Sequence, residues 1–301
     1  MEQSKLHYSV LLHETIDALN INPNGIYVDL TLGMGGHSAA ILSQLQNGKL
    51  YAFDKDDFAL EKSNIRLSSI GSNYQLIKSD FKDIKSKLAE FGIYEVDGII
   101  ADLGISSPQV DQADRGFSYN KQAALDMRMD QTQELTAFNV VNDYNEDRLA
   151  ELLLKYADVK LHKKVAKAIV AARPISTTLE LVDVIKNAYP AALLRSKNPA
   201  KAVFQAIRIE VNNELASLQV MLEDALSLLK KNASLAVITF HSIEDKIVKD
   251  FYKKQIANLM PTKMPVMEEK HYLIKQTKPS KTELLENKRS RSAKLRVITK
   301  L

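Results

Sequence analysis

The sequence has no cysteine anywhere in its 301 residues. That absence excludes disulfides, a thiolate nucleophile, a thiolate zinc site and a cysteine-ligated iron–sulfur cluster. It also removes two routes of pyrimidine modification: methylation at carbon 5 through covalent cysteine attack, and deamination at a cysteine-held zinc. Long apolar runs are missing too. None approaches the roughly 18 residues of a membrane-spanning helix. The opening stretch MEQSKLHYSVLLHE lacks the apolar region of a secretory signal. Both absences point to the cytoplasm and away from a membrane partner.

What is present is globular in character. Hydrophobic residues make up 45% and charged residues 26%, enough for one large core or two modest ones. The net charge of +4 is unevenly spread. From Lys270 to Leu301 ten Lys/Arg face two Glu, a balance of +8, while the other 269 residues carry 31 basic and 35 acidic side chains, a balance of −4. A weakly acidic body with a basic closing segment suits a polyanionic partner; a solvated surface fits the charge equally well.

The first hundred residues alternate in pattern. GIYVDLTL, GKLYAFDKD, NYQLIKSDF and VDGIIADLG read as four buried strands. HSAAILSQL, Phe58–Ile70 and Asp83–Phe91 between them have helical spacing. Repeated β-α units of this length argue for a parallel sheet with right-handed crossovers. From Val110 to about Phe204 the strand signal stops and helical stretches dominate, punctuated by Pro174, Pro190 and Pro199. Residues 110–204 therefore read as an inserted helical domain, and 1–109 with 205–301 as the α/β domain around it. The spacing then predicts one long helix over 212–232, a fifth strand in ASLAVITF, and a helix opened by a Ser242–Asp245 cap. Two closing strands, HYLIKQ and AKLRVIT, are joined by a basic loop.

YVDLTLGMGGHS marks the candidate site. An open parallel sheet binds ligands at the carboxyl ends of its strands, and glycines there let the backbone approach the ligand. Gly33-x-Gly35 is followed three residues later by Ser38, an imperfect dinucleotide fingerprint. The frame Asp29, Thr31, Gly33, Gly35 resembles instead the Asp-x-Gly-x-Gly-x-Gly turn of S-adenosylmethionine-dependent methyltransferases, with Thr in place of the first glycine. A cationic methyl donor without a pyrophosphate suits a nearby carboxylate. Asp54, ending the second strand, can accept both ribose hydroxyls, a device that a dinucleotide site would share. Phe81 offers an adenine stack or a core side chain. DLGISSPQ, Asp102 to Gln109, ends the fourth strand over the reacting centre. Its acceptors suit an exocyclic amine, and an ordinary loop suits the same letters.

HYSVLLHE, DLTLGMGGHS, DLGISSPQ, DRGFSY, LDMRMD, FQAIRIEVNNEL, ITFHSIED and RSRSAKLR together resemble, in order and spacing, the ribosomal RNA small subunit methyltransferase H family. The resemblance runs from about His7 nearly to the end. It implies a class I S-adenosylmethionine-dependent methyltransferase fold, Rossmann-like, with a mostly parallel seven-stranded sheet and an inserted all-α domain for substrate recognition. It implies methyl transfer from S-adenosyl-L-methionine to N4 of a cytidine in the decoding region of 16S rRNA, in the small ribosomal subunit. By motif position the donor contacts are Gly35, Gly36, His37, Asp54, Phe81, Asp102 and Gln109. The catalytic candidates are Asp102, Ser106, Pro108 and His241. No metal ligands are assigned, and monomer and homodimer stay open.

The basic segment Lys288, Arg289, Arg291, Lys294 and Arg296 is the expected phosphate contact. Arg115, Arg128, Arg208 and Asn212 suit either RNA phosphate or the junction between insertion and core, with the junction favoured for Arg208 and Asn212, and Met127 and Met129 are expected to pack a loop over the donor. Two other functions fit parts of the sequence: a nicotinamide-dependent oxidoreductase, and a non-catalytic RNA-binding factor that has kept only the fold.

Overall fold

The computed structural model describes residues 9–195, 198–256 and 270–301. Seven strands form one sheet: β1 (Ile26–Asp29), β2 (Lys49–Asp54), β3 (Tyr74–Lys78), β4 (Val96–Asp102), β5 (Leu229–Thr239), β6 (Tyr272–Thr277) and β7 (Lys294–Lys300). Their order is β3-β2-β1-β4-β5-β7-β6. β1 pairs in parallel with β2 and β4, and β3 and β5 extend the parallel set on either side. β7 is antiparallel to both β5 and β6. This is the class I methyltransferase sheet that the motifs imply.

Strand order reverses between β1 and β4, and open α/β sheets bind their ligands beyond the carboxyl ends of the strands at such a point. Asp29, Asp54 and Asp102 are the last residues of β1, β2 and β4. Alternating side chains feed two cores, as a sheet covered on both faces requires. Val28, Leu30, Tyr51 and Phe53 pack with Ile99 and Met221 on one face. Tyr27, Leu32, Leu50 and Ala52 pack with Leu11 and Ile41 on the other.

The chain divides into two compact units: Met1–Gly104 with Ala216–Leu301, and Ile105–Leu215. The second unit is helical, with longer helices at Glu146–Ala157, His162–Ala171, Thr178–Asn187 and Ala200–Asn212. It has its own apolar core, to which Leu149, Leu153, Val165, Ile169, Leu181 and Ile207 contribute. An isolated bridge between Ala124 and Thr177 interrupts the helical pattern. The unit starts five residues before, and ends eleven residues after, the 110–204 span read from the sequence. The helix Ala200–Asn212 accounts for most of the later end, because Phe204, Ile207 and Val211 face the helical core.

Two local expectations are corrected. The predicted helix over 212–232 is broken at Asn213, which takes a left-handed conformation (φ 51°) and ends one helix before Glu214–Ser227 begins. Leu229 to Asn232 then belong to β5, not to that helix. The helix Ser242–Ile256 is not capped by Ser242 and Asp245. Glu244 Oε2 accepts the N–H groups of Phe240 and His241 at 2.9 and 3.3 Å. Asp245 instead holds Lys294 and Arg296.

Candidate active site

The turn after β1 is built to bring backbone close to the strand ends. Gly33 and Gly35 have φ of 49° and 70°, conformations that cost L side chains dearly. Gly35 caps the helix Gly36–Leu42 with no side chain involved. A Cβ on Gly36 would sit 1.8 Å from Ser9 Oγ, so any other residue there would have to displace the Ser9 hydroxyl. Ser63 Oγ donates to Gly33 O at 2.7 Å and fixes the turn from the neighbouring helix.

Three carboxylates converge on this turn. Asp29 is buried; its Oδ2 accepts from Ser38 Oγ at 2.7 Å and its Oδ1 from Thr31 N at 3.0 Å. Burial raises its pKa. Asp29 is thus a fastener inside the turn and does not offer the ligand-facing carboxylate that its place in the motif invites. Asp54 Oδ2 accepts the Gly33 N–H and Oδ1 the Asp56 N–H, each at 2.9 Å. Burial pushes its pKa up to about 6, against those two hydrogen bonds. Asp102 keeps about a quarter of its side chain exposed, yet its Oδ1 is buried with no hydrogen-bond partner among the described residues. Burial first, then the charges of Asp29 and Glu244, hold its pKa well above the usual carboxylate range.

His37 joins the cluster. Its Nε2 lies 3.2 Å from Val10 O, and its Nδ1 lies 3.8 Å from Asp102 Oδ2. Burial lowers its pKa to about 4, so the ring is neutral at physiological pH. A carbonyl oxygen can only accept, so Nε2 carries the hydrogen and Nδ1 presents a lone pair. Asp102 N donates to Thr31 Oγ1 at 2.6 Å, which ties the end of β4 to the glycine turn. The threonine that departs from the glycine pattern is therefore a working part of the turn, as are Ser38 and Ser63. Side-chain chemistry at those positions is visible in the sequence, but their partners are not.

The other sequence candidates divide. Phe81 begins a short 3-10 turn after β3 and packs, partly buried, on the sheet core. Asp80 beside it accepts from Lys55 Nζ at 2.9 Å and from Ser217 Oγ at 3.2 Å. His241 Nδ1 accepts the Glu244 N–H at 3.4 Å, and its Nε2 lies 2.9 Å from Glu244 Oε1 but out of line for a hydrogen bond. This histidine caps a helix together with a buried glutamate. Ser106, Pro108 and Gln109 belong to the second unit. Gln109 is buried there and its Oε1 accepts the Ser106 N–H at 2.9 Å, a capping box for Ser107–Asp111.

In that same unit Asn212 is buried. Its Nδ2 donates to Met127 O and its Oδ1 accepts from Met129 N, both at 2.8 Å. Arg208 makes two bonds to Glu214, at 2.7 and 2.8 Å. These described bonds lie within the helical unit, where Asn212 fastens the LDMRMD loop.

The basic segment is corrected in part. Lys288, Arg289 and Arg291 are exposed. Arg296 is buried and binds Asp245 Oδ1 at 2.7 Å, and Lys294 binds the other oxygen at 2.7 Å. Arg296 sits on β7, where its side chain turns inward, and it is not a phosphate contact.

Among the described residues no helix is long and apolar enough to cross a membrane. The model of the MraW methylase family matches residues 4–301, and the chain belongs to that family. A relative from Mycoplasmopsis agalactiae is 61% identical over 295 residues, covering 98% of each protein. One from Mycoplasmopsis pulmonis is 53% identical, covering 99% of this chain and 100% of its own. One from Streptococcus mutans is 50% identical, covering 98% of each. All three carry the name ribosomal RNA small subunit methyltransferase H.

Proposed function

We propose that the chain transfers a methyl group from S-adenosyl-L-methionine to the exocyclic N4 of a cytidine in the decoding region of 16S rRNA, acting in the cytoplasm on the small ribosomal subunit. Membership of a methylase family and the name its relatives share support the reaction class and the RNA. The observation that carries the reading at the level of residues is Asp102. It is a strand-end carboxylate with a buried, unpartnered oxygen above a glycine turn.

The cluster fits a cation. A buried carboxylate oxygen without a partner is costly unless something donates to it. Of the three carboxyls only Asp102, beside the glycine turn and ionised on meeting a cation, disfavours a pyrophosphate; Asp29 is used inside the turn and an acid at Asp54 suits either ligand. When bound, S-adenosylmethionine supplies an electrophilic methyl on a sulfonium sulfur. Gly35, Gly36, His37, Asp54, Phe81 and Asp102 are the residues we assign to hold it; for Gln109 the assignment rests on motif position.

Asp102 and His37 Nδ1 supply acceptors for an ammonium group. Asp54 already accepts two backbone N–H groups, and each of its oxygens keeps a further lone pair for a ribose hydroxyl. No thiol exists to attack the pyrimidine. The exocyclic nitrogen is therefore the nucleophile itself, and the protein's task is placement. Ser106, Pro108 and His241 stay as candidates for the target base on motif position alone.

Incubation with donor carrying a labelled methyl group and 30S subunits, followed by nucleoside mass spectrometry, tests this. N4-methylcytidine is the expected product. RNA binding without turnover would make the chain a binding factor. Binding of NAD(H) but not of adenosylhomocysteine would make it an oxidoreductase.

A further inference from the structure

The segment before the first helix is held at the glycine turn from a distant part of the chain. Leu11 is fully buried and left-handed (φ 53°, ψ 35°), a conformation that leucine rarely adopts. Its carbonyl starts the helix Leu12–Leu19 by accepting from Thr15 N at 2.9 Å. Its N–H donates to Glu283 Oε1 at 2.8 Å, across 272 residues of sequence. Glu283 is itself placed by Ser280, whose Oγ accepts the Glu283 N–H at 3.1 Å and caps the helix Lys281–Glu286. The two residues before Leu11 touch the site: Val10 O faces His37 Nε2, and Ser9 Oγ fills the space beside Gly36.

We propose, on the basis of the donor-site reading above, that Glu283 is a positioning residue for that site: it holds the left-handed turn at Leu11 and so presents the Val10 carbonyl to His37. The consequence is chemical. With Val10 O in place, the His37 hydrogen is on Nε2 and the Nδ1 lone pair looks toward Asp102, 3.8 Å away. Two acceptors then border one gap, which suits a donor-rich cation such as a primary ammonium. Without the turn, His37 can take the other tautomer. Its Nδ1–H would then point at Asp102, and the gap would lose one acceptor and engage the other. Glu283 thus sets the polarity of a group it does not touch.

Three variants test this: Glu283→Ala, Glu283→Gln and Glu283→Asp. Calorimetry with adenosylhomocysteine should show affinity at least fivefold weaker in E283A. Single-turnover methyl transfer at saturating donor should stay within twofold of the parent. E283Q keeps an acceptor oxygen at the same reach and should restore affinity to within twofold. E283D withdraws the oxygen by one methylene and should weaken binding even where E283A fails to fold. Nitrogen-15 spectra of labelled histidine, with no ligand present, should show His37 as the Nε2–H tautomer in the parent and E283Q, and as a mixture in E283A or E283D. Parental affinity and tautomer in E283A or E283D would overturn the proposal. So would equal loss in E283Q and E283A, which would mean that charge matters and the acceptor does not. If the parent itself binds no adenosylhomocysteine, the donor-site reading fails, and the tautomer comparison still decides the role of Glu283.

Discussion

Thr31 Oγ1 accepts the backbone N–H of Asp102 at 2.6 Å, and this one bond joins the glycine turn to the end of β4. A glycine, which the methyltransferase frame has at this place, could not make it. Thr31→Val keeps the shape and removes the acceptor, leaving a partly buried N–H without a partner. Such a loss costs about 1–3 kcal/mol. The urea midpoint should fall with an unchanged slope, adenosylhomocysteine affinity should weaken, and Thr31→Ser should restore both. A midpoint equal to the parent's would show that the tie carries no stability.

The substitution Asp102→Asn should separate stability from binding. The Asp102 carboxyl has a raised pKa because burial, and then Asp29 and Glu244, disfavour its charge. A carboxyl whose folded pKa lies above its unfolded value contributes stability that is full below the unfolded pKa, here 3.8, and is lost as pH rises through the folded value. Asparagine removes that cost. The variant without ligand should melt higher than the parent at pH 8, and the difference should vanish near pH 4. Adenosylhomocysteine affinity should fall at least tenfold, because the amide carries no charge and puts an NH2 donor in place of one of the two acceptor oxygens. Unchanged affinity would move Asp102 out of the donor site.

The sheet was legible in the sequence because β1, β2 and β4 are short, largely buried runs that each end in an aspartate, and the edge strand β3 follows the same spacing. The run of helices after β4 was legible because the strand-like apolar runs stop there and helical spacing takes over. The break at Asn213 was not: apolar spacing continues from Ile207 through Leu218, and a single left-handed asparagine interrupts it without any change in composition. The inward turn of Arg296 was hidden for a similar reason. Its letters sit in a basic run, and only its place on the buried strand β7, with Asp245 as partner, separates it from Arg291 in the exposed turn before. Thr31 and Glu283 act through partners 71 and 272 residues away, and such pairs exist only once the chain is folded.

Donor affinity should depend on pH through Asp54. Its carboxyl titrates at about 6 in the free protein, and the ionised form is the better acceptor for hydroxyl donors. A ligand that prefers the ionised form lowers that pKa and releases a proton on binding near pH 6. The dissociation constant should therefore improve as pH rises from 5 to 7, by at most tenfold per unit for one proton. Asp102, also raised, should extend the trend to higher pH. Calorimetry in two buffers of different ionisation enthalpy counts the protons released. In Asp54→Asn the part of the profile centred near pH 6 should disappear and binding should weaken at pH 8. A profile of the same shape in that variant would place the titration on another group.

RNA capture should divide between two basic surfaces, one on each unit. In the helical unit Lys163, Lys164 and Lys167 are exposed on His162–Ala171, with Lys160 just before it, opposite the buried Val165, Ala166 and Ile169. The spacing is i, i+3 and i, i+4, so these ammonium groups share one face. The first turn of that helix carries no acid, although cations there oppose the helix dipole. None of the four lysines has an ion-pair partner among the described residues, and Asp158 is an exposed acid nearby in sequence. Cations kept unpaired where they weaken their own helix fit a phosphate backbone. Changing Lys163, Lys164 and Lys167 to Gln should weaken RNA binding and flatten the slope of log affinity against log salt by about two to three, the counterions of three phosphate contacts. Adenosylhomocysteine affinity should stay the same. The same experiment on Lys288, Arg289 and Arg291 should lower the slope independently, because those side chains are also exposed. Arg296→Gln should behave differently: it strips a partner from Asp245, lowers the melting temperature, and leaves the salt slope where it was. A parental slope in the lysine variant would make that helix face a solvated surface and leave RNA capture to the closing segment.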